Sequence, residues 1–203
     1  MHKIILIGGA PTAGKSYVAR KIADELSLPW ISTDTIRELM RETVRPEDYP
    51  HLFDHAEAAG KDAVAYLNQN TAAEIVENHI KENEDVWKGI HALLKTDYVW
   101  GSFIVEGVAI VPHLASSLTG RNKRIISLFL IEEREERIRE VVYTRGLWDE
   151  AHKYPDSVKE KEVEWVMEYN TWIKKEAEKH GFPVINVGDR SSYLEEIKKL
   201  VSN

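Results

Sequence analysis

The 203-residue sequence contains no cysteine. Disulfides, thiolate-bound zinc and thiol nucleophiles are therefore excluded. Long apolar runs are missing as well. Nothing approaches the ~18 consecutive apolar residues that a membrane span requires, so no membrane partner is expected. The apolar run Ile4 to Ile7 follows a lysine but is too short for a secretory signal, and it enters a glycine loop rather than a cleavage site. A cytoplasmic protein is the expectation. Positive charge is in deficit, with 27 Lys and Arg against 34 Asp and Glu for a formal net charge of −7. That balance argues against a general nucleic-acid or anionic-membrane surface, because such binding draws on a basic field. Internal repeats and low-complexity tracts are absent too. The length suits one compact α/β domain over residues 1–203 and falls short of two.

What is present is organised around Gly9-Ala10-Pro11-Thr12-Ala13-Gly14-Lys15-Ser16, which reads G-x-x-x-x-G-K-S. Its fixed positions would coincide by chance in roughly one chain in a hundred of this length, before any demand on the flanks. Both flanks fit: a buried-strand pattern precedes the loop, and Val18, Ile22, Ala23 and Leu26 recur behind it at helical spacing. The chemistry of a phosphate loop needs these residue types. Glycines let backbone N–H groups wrap phosphate oxygens, Lys15 brings a cation to the β- and γ-phosphates, and Ser16 offers a hydroxyl to Mg²⁺. ATP and Mg²⁺ are the expected ligands.

Downstream, Trp30 to Ser32 reads as a second strand, and Thr35-Ile36-Arg37-Glu38 has the form of a helix start. Residues 45–55 carry two prolines and read as a loop. One helix is expected from Ala56 to about His79, with Val86 to Leu94 forming another or its continuation. Two long helices between strands exceed what a crossover needs, so 35–100 is read as an acceptor-binding insertion. Ser102 to Val105 is the third strand. Ile125 to Ile131 is the fourth, a continuous apolar run of the kind parallel sheets bury. Glu132 to Arg139 follows as a charged helical segment opening a lid over 132–156, and Gly146 could serve as its hinge. A helix striped by Val163, Val166 and Ile173, a last strand over 183–187 and a closing helix complete an alternation that implies a parallel sheet. The tryptophans lie mostly on apolar helical stripes and read as core.

In an open parallel sheet ligands sit beyond the carboxyl ends of the strands. The residues just after each predicted strand are the phosphate loop, Asp34, Glu106, the arginine-rich helix and Gly188-Asp189-Arg190. Asp34 could accept the proton of an attacking hydroxyl or hold a metal through water, and Arg37 shares its helix face and could grip an acceptor anion. Asp34 could also be no more than an N-cap, with Arg37 a solvated helix residue. Glu106 could serve a metal shell or the acceptor, or merely cap the turn at Gly107. If the segment stays helical, Arg134, Arg137 and Arg145 converge on one side, fit for a γ-phosphate, with Arg139 outside. The same run could be a solvated face laced with Glu–Arg pairs.

With these residues the chain resembles the P-loop kinase superfamily, in the group of adenylate, shikimate and gluconate kinases. Within it the likeness is greatest to 2-phosphoglycerate kinases. The similar stretches are Gly9 to Ser16, Ser32 to Arg41, Tyr66-Leu67-Asn68-Gln69, Ile104 to Val108 with Val111-Pro112, and Ala177 to Ile185. The pair Asp34 and Arg37 is also similar to that of polynucleotide 5′-kinases. The resemblance implies a three-layer P-loop fold whose five-stranded parallel sheet has order 2-3-1-4-5. It implies ATP phosphates at the loop, adenine near Asn186 to Asp189, and a lid after the fourth strand. The expectation is an ATP-dependent small-molecule kinase, monomer or homodimer. Lys15, Asp34 and Arg137 are its catalytic residues, and Asp34, Arg37, Glu106, Arg134 and Arg145 contact the substrate. The alternatives are a polynucleotide 5′-kinase-like enzyme and a non-catalytic, ATP-responsive interaction protein.

Overall fold

The computed structural model describes residues 2–54, 63–96, 98–119, 124–146, 151–188 and 192–202. Its centre is β1 (Ile4–Gly9), buried along its whole length. Successive side chains of a strand point to opposite faces, and here both faces are covered. Ile4 and Leu6 belong to one apolar cluster, Ile5 and Ile7 to another. That is why the strand carries no polar residue. Around it stand β2 (Trp30–Ser32), β3 (Phe103–Glu106), β4 (Ile125–Ile131) and β5 (Val184–Asn186), all parallel, in the order β2-β3-β1-β4-β5. The architecture is the three-layer α/β fold that the resemblance implied.

Two helices cover the Ile5/Ile7 face: α1 (Lys15–Leu26), through Val18 and Ile22, and α9 (Tyr193–Ser202), through Ile197 and Val201. The opposite face packs on α2 (Thr33–Thr43), α5 (Ala72–Leu94), α6 (Pro112–Thr119) and α8 (Asp156–Lys179), through Ile36, Ile90, Ala115 and Val166. Among the described residues no helix is long and apolar enough to cross a membrane.

The local readings need correction in several places. The helix after β2 starts at Thr33, because Ser32 is the N-cap and its hydroxyl accepts the Asp34 N–H at 3.2 Å. Asp34 is therefore a first-turn residue and not the cap. The 45–55 loop contains a short helix, α3 (Pro50–Asp54). Helix formation there exploits the tolerance of proline in a first turn.

The single helix expected from Ala56 to His79 begins outside the described residues and is two helices where it is described. The first is α4 (Ala63–Gln69), and the second runs unbroken from Ala72 to Leu94. A capping box divides them, with the Thr71 N–H donating to Glu74 Oε2 at 2.8 Å and the Glu74 N–H to Thr71 Oγ1 at 3.3 Å. Such a cap contributes about 1 kcal/mol, enough to favour a new start over continuation. The charged segment after β4 does not coil at once. Glu132 to Arg134 are not helical, and α7 covers only Glu135–Thr144.

Candidate active site

The loop after β1 keeps main-chain donors open. Gly9 has φ 137°, and a Cβ there would lie 2.1 Å from the Leu130 carbonyl oxygen, so only glycine lets β1 lie this close to β4 as it leaves the sheet. Gly14 has φ 75° and turns the chain into α1 with open space where its side chain would be. Among the described residues, the amides of Gly14, Lys15 and Ser16 donate no hydrogen bond within the chain. These are the unpaired donors of a helix start, gathered at the positive end of its dipole. Lys15 is buried and donates to the Ala10 carbonyl at 2.7 Å, its ammonium curled over the loop. Burial pulls its pKa below the ordinary value, and the Glu106 and Asp34 carboxylates push back.

Sheet register brings the carboxylates to this loop. Glu106 lies beside Ile7 of β1 and Ser32 of β2, at the carboxyl edge of three neighbouring strands. Gly107 then turns with φ 148° directly behind Thr33, where a Cβ would sit 1.8 Å from Thr33 Oγ1. Only glycine there lets the end of β3 lie this close to the start of α2, which brings Glu106 and Asp34 to the same edge. Glu106 is buried, and burial raises its pKa against the pull of the Lys15 ammonium and the Ser16 hydroxyl. Its Oε1 is buried without a hydrogen-bond partner. Asp34 is exposed and pairs with Arg37 at 3.1 Å.

A cavity of about 660 Å³ joins these groups. The phosphate loop, Asp34, Arg37 and Glu106 line it from the sheet side, and Arg137 and Arg145 line it from α7. Arg37 also pairs with Glu38, and behind it Arg41 donates to the buried Glu82 at 2.8 Å. Burial pulls the Arg37 pKa down, but Asp34, Glu82 and Glu38 together leave it raised. Burial pushes the Glu82 carboxyl up to about 7, even with Arg37 and Arg41 beside it.

The three lid arginines do not converge. Arg134 is the N-cap of α7 with extended backbone, and its Nε and Nη2 hold the two oxygens of the buried Glu132, at 3.0 Å each. Burial alone would raise the Glu132 pKa, but hydrogen bonds from the Arg134 side chain and N–H hold it low. Arg134 thus faces Gly188 rather than the cavity. The helical-wheel grouping failed at Arg134 because that residue precedes the helix, whereas Arg145, the C-cap, lines the cavity with Arg137. Arg137 does line the cavity, paired with Glu140. Arg139 points to α8, binding Glu160 and Glu135.

Asn186 lines neither this cavity nor a smaller one of about 300 Å³ behind the loop, bounded by Thr12, Tyr17, Glu132, Val187 and Tyr193. Its side chain closes the turn after β5, accepting the Gly188 N–H at 3.0 Å and donating to Glu133 at 2.7 Å. Asp189 and Arg190 lie outside the described residues, as do 147–150 of the expected lid. Trp165, read as core, is buried but also lines the cavity from α8, stacked on His79 of α5 with ring centroids 4.8 Å apart; no motif marked either residue for the site. Their partnership joins residues 86 apart in sequence, and no local pattern encodes it.

The sequence profile of the cytidylate kinase-like family matches residues 4–180. The chain is 29% identical over 184 residues to a 2-phosphoglycerate kinase of Methanocaldococcus jannaschii, covering 90% of this chain and 57% of that one. It is also 29% identical over 203 residues to a 2-phosphoglycerate kinase of Methanopyrus kandleri, covering 98% of this chain and 61% of that one. It therefore spans about three-fifths of the length of these curated relatives. Among solved structures, a gluconokinase from Sinorhizobium meliloti 1021 shares the fold with a TM-score of 0.54 at 15% identity, covering 99% of this chain and 92% of that one.

Proposed function

The chain belongs to the cytidylate kinase-like family, and from that premise we propose that it is an ATP- and Mg²⁺-dependent kinase. It transfers the γ-phosphoryl group to a hydroxyl of a small anionic acceptor similar to 2-phosphoglycerate, leaving ADP. The observation that carries this reading is the single cavity lined by Gly14, Lys15, Ser16, Asp34, Arg37 and Arg137. Open amides at one end suit polyphosphate, and a carboxylate with an arginine at the other suits an alcohol that bears negative charge. The two curated relatives, both 2-phosphoglycerate kinases, support the acceptor class.

In this mechanism the loop amides and Lys15 hold the donor's phosphates, and Asp34 takes the proton of the acceptor hydroxyl as the new P–O bond forms. Arg37 grips the acceptor's anionic group. Arg137 leaves Glu140 to neutralise charge building on the transferred group. Arg145 lines the same wall. For Mg²⁺ the donor set fits: the partnerless buried Glu106 Oε1, the exposed Ser16 hydroxyl and Asp34 are hard oxygen donors at one edge. Mg²⁺ is commonly held by one or two carboxylates together with substrate phosphates, and when bound it supplies charge neutralisation to them. The stretch 35–100 is the acceptor arm, and 132–156 is a lid that excludes water.

A coupled ADP-release screen over phosphorylated hydroxy acids, sugars, nucleosides and DNA 5′ ends tests the reading. Stimulation by a small phosphorylated or carboxylated alcohol is expected. Stimulation by DNA ends alone would move the assignment to a polynucleotide kinase. Tight ATP binding with stimulation by none of them would leave an ATP-responsive interaction protein.

A further inference from the structure

The larger and the smaller cavity meet at the start of α1. Thr12, Gly14, Tyr17, Arg137 and Val141 line both, so these five residues form the joint across which one ligand can occupy the two spaces together. The spaces differ in chemistry. The larger carries the open loop amides, Lys15, Asp34 and Arg37. The smaller, of about 300 Å³, has Ala13, Val141, Val187 and Tyr193 in its wall, and its one carboxylate, Glu132, has both oxygens taken by Arg134 at 3.0 Å. Such a room suits an uncharged planar group better than a second anion. Tyr17 stands at the joint. The helix α1 buries Val18, Ala19, Ile22 and Ala23, and its exposed stripe is Tyr17, Arg20, Lys21 and Asp24. Three of those four are charged, as a solvated stripe requires. Tyr17 is the aromatic exception, 44% exposed, and core packing does not call for a ring there. The Lys21 ammonium, one turn on, lies 5.9 Å from the ring centroid. A cation–π contact that long is weak and does not account for an aromatic side chain on the walls of both cavities.

We propose that Tyr17 is a specificity-determining residue for the phosphoryl donor. Its ring packs against the nucleoside where that group leaves the phosphate cradle for the smaller cavity, so the chain holds a nucleoside triphosphate in preference to bare polyphosphate. The assignment rests on the kinase reading and adds to it the element that recognises the non-phosphate part of the donor. The loop amides and Lys15 meet only phosphate oxygens, which both molecules carry, and so give no such preference. An aromatic face gives it, because stacking on a base needs no hydrogen-bond readout.

The probes are the Mg²⁺ complexes of a non-hydrolysable ATP analogue and of inorganic tripolyphosphate, each titrated calorimetrically into the full chain. Wild type should bind the analogue at least about ten-fold more tightly than tripolyphosphate. Tyr17→Ala should weaken the analogue by about ten-fold and leave tripolyphosphate within about two-fold of wild type. Tyr17→Phe keeps the ring and should stay within about two-fold of wild type for both probes. Because Tyr17 lies off the buried face of α1, the alanine variant should keep the circular-dichroism spectrum of wild type. If it fails to fold, Tyr17→Leu, which keeps bulk without a π face, replaces it in the contrast. Unchanged analogue affinity in the alanine variant, an equal loss for the two probes, or equal losses in the alanine and phenylalanine variants overturn the assignment and leave the kinase reading standing. A wild type that binds the analogue no more tightly than tripolyphosphate overturns it too, with the phosphate cradle still in place. Uptake of neither probe by wild type removes the kinase reading itself.

Discussion

The two ends of the cavity are built from different materials. At the phosphate-loop end the ligand-facing groups are chiefly main chain: amides from Gly14 to Ser16, held by the close approach of Gly9 to Leu130 and by the left-handed turn at Gly14. At the other end they are side chains from separate helices, locked into one another as Asp34–Arg37, Arg41–Glu82 and His79–Trp165. A main-chain cradle is specified by a short motif and is indifferent to most substitutions around it. A side-chain cluster depends on how several helices pack, so specificity can change there while the donor site is preserved.

Substitutions that break this contrast differ in what they remove. Lys15→Ala strikes the end common to every acceptor. It should cut kcat/KM by at least about 10³-fold with any acceptor, with an unchanged circular-dichroism spectrum. Retained turnover in that variant would take the loop out of the mechanism. Asp34→Asn removes the proposed proton acceptor and should lower kcat by about 10²- to 10³-fold in steady-state assays, with ATP affinity kept because the cradle is untouched. Arg37→Ala should act on the acceptor alone, raising its KM by roughly 10- to 100-fold and leaving the KM for ATP within about two-fold. An equal rise in both would mean that the two ends are not separable.

The smallest effect on activity, and a measurable one on stability, is expected at Glu162 of α8. This carboxyl is fully buried with both oxygens partnerless, and burial pushes its pKa up to about 7. Between 4.5 and about 7 the folded chain keeps a proton that the unfolded chain has released. Folding is thus unpenalised below 4.5 and loses stability as pH rises to about 7, by an amount on the order of 2 kcal/mol. Glu162→Gln should raise the thermal midpoint at pH 8 and change it little at pH 4.5. A variant equally shifted at both values would place the cause in packing and not in charge.

Much of the frame was legible before any coordinates. β4 is observed over the residues its apolar run predicted, Ile125–Ile131, because a strand buried on both faces leaves an uninterrupted signature. The helices were less legible. The break between α4 and α5 lies in the reciprocal bonds of Thr71 and Glu74, a local code overlooked within a longer apolar stripe. The helix α6 went unpredicted, since Val108 to Val111 runs into it as one apolar stretch. The arginines failed for a different reason. A helical phase does not apply to the first three residues of the segment, which are not helical, and Glu132 captures Arg134 before the helix begins.

The sequence by itself determined the phosphate loop, the alternation of strands and helices, and the order in which carboxylates follow the strands. Each of these depends on neighbours within a few residues or on a short motif with few alternatives. Only the tertiary structure decided which charged groups share a cavity. Coulombic pairing acts over a few ångströms of space whatever the separation along the chain, so the grouping of Glu82 with Arg41 and of His79 with Trp165 emerged when α2, α5 and α8 packed on one face of the sheet.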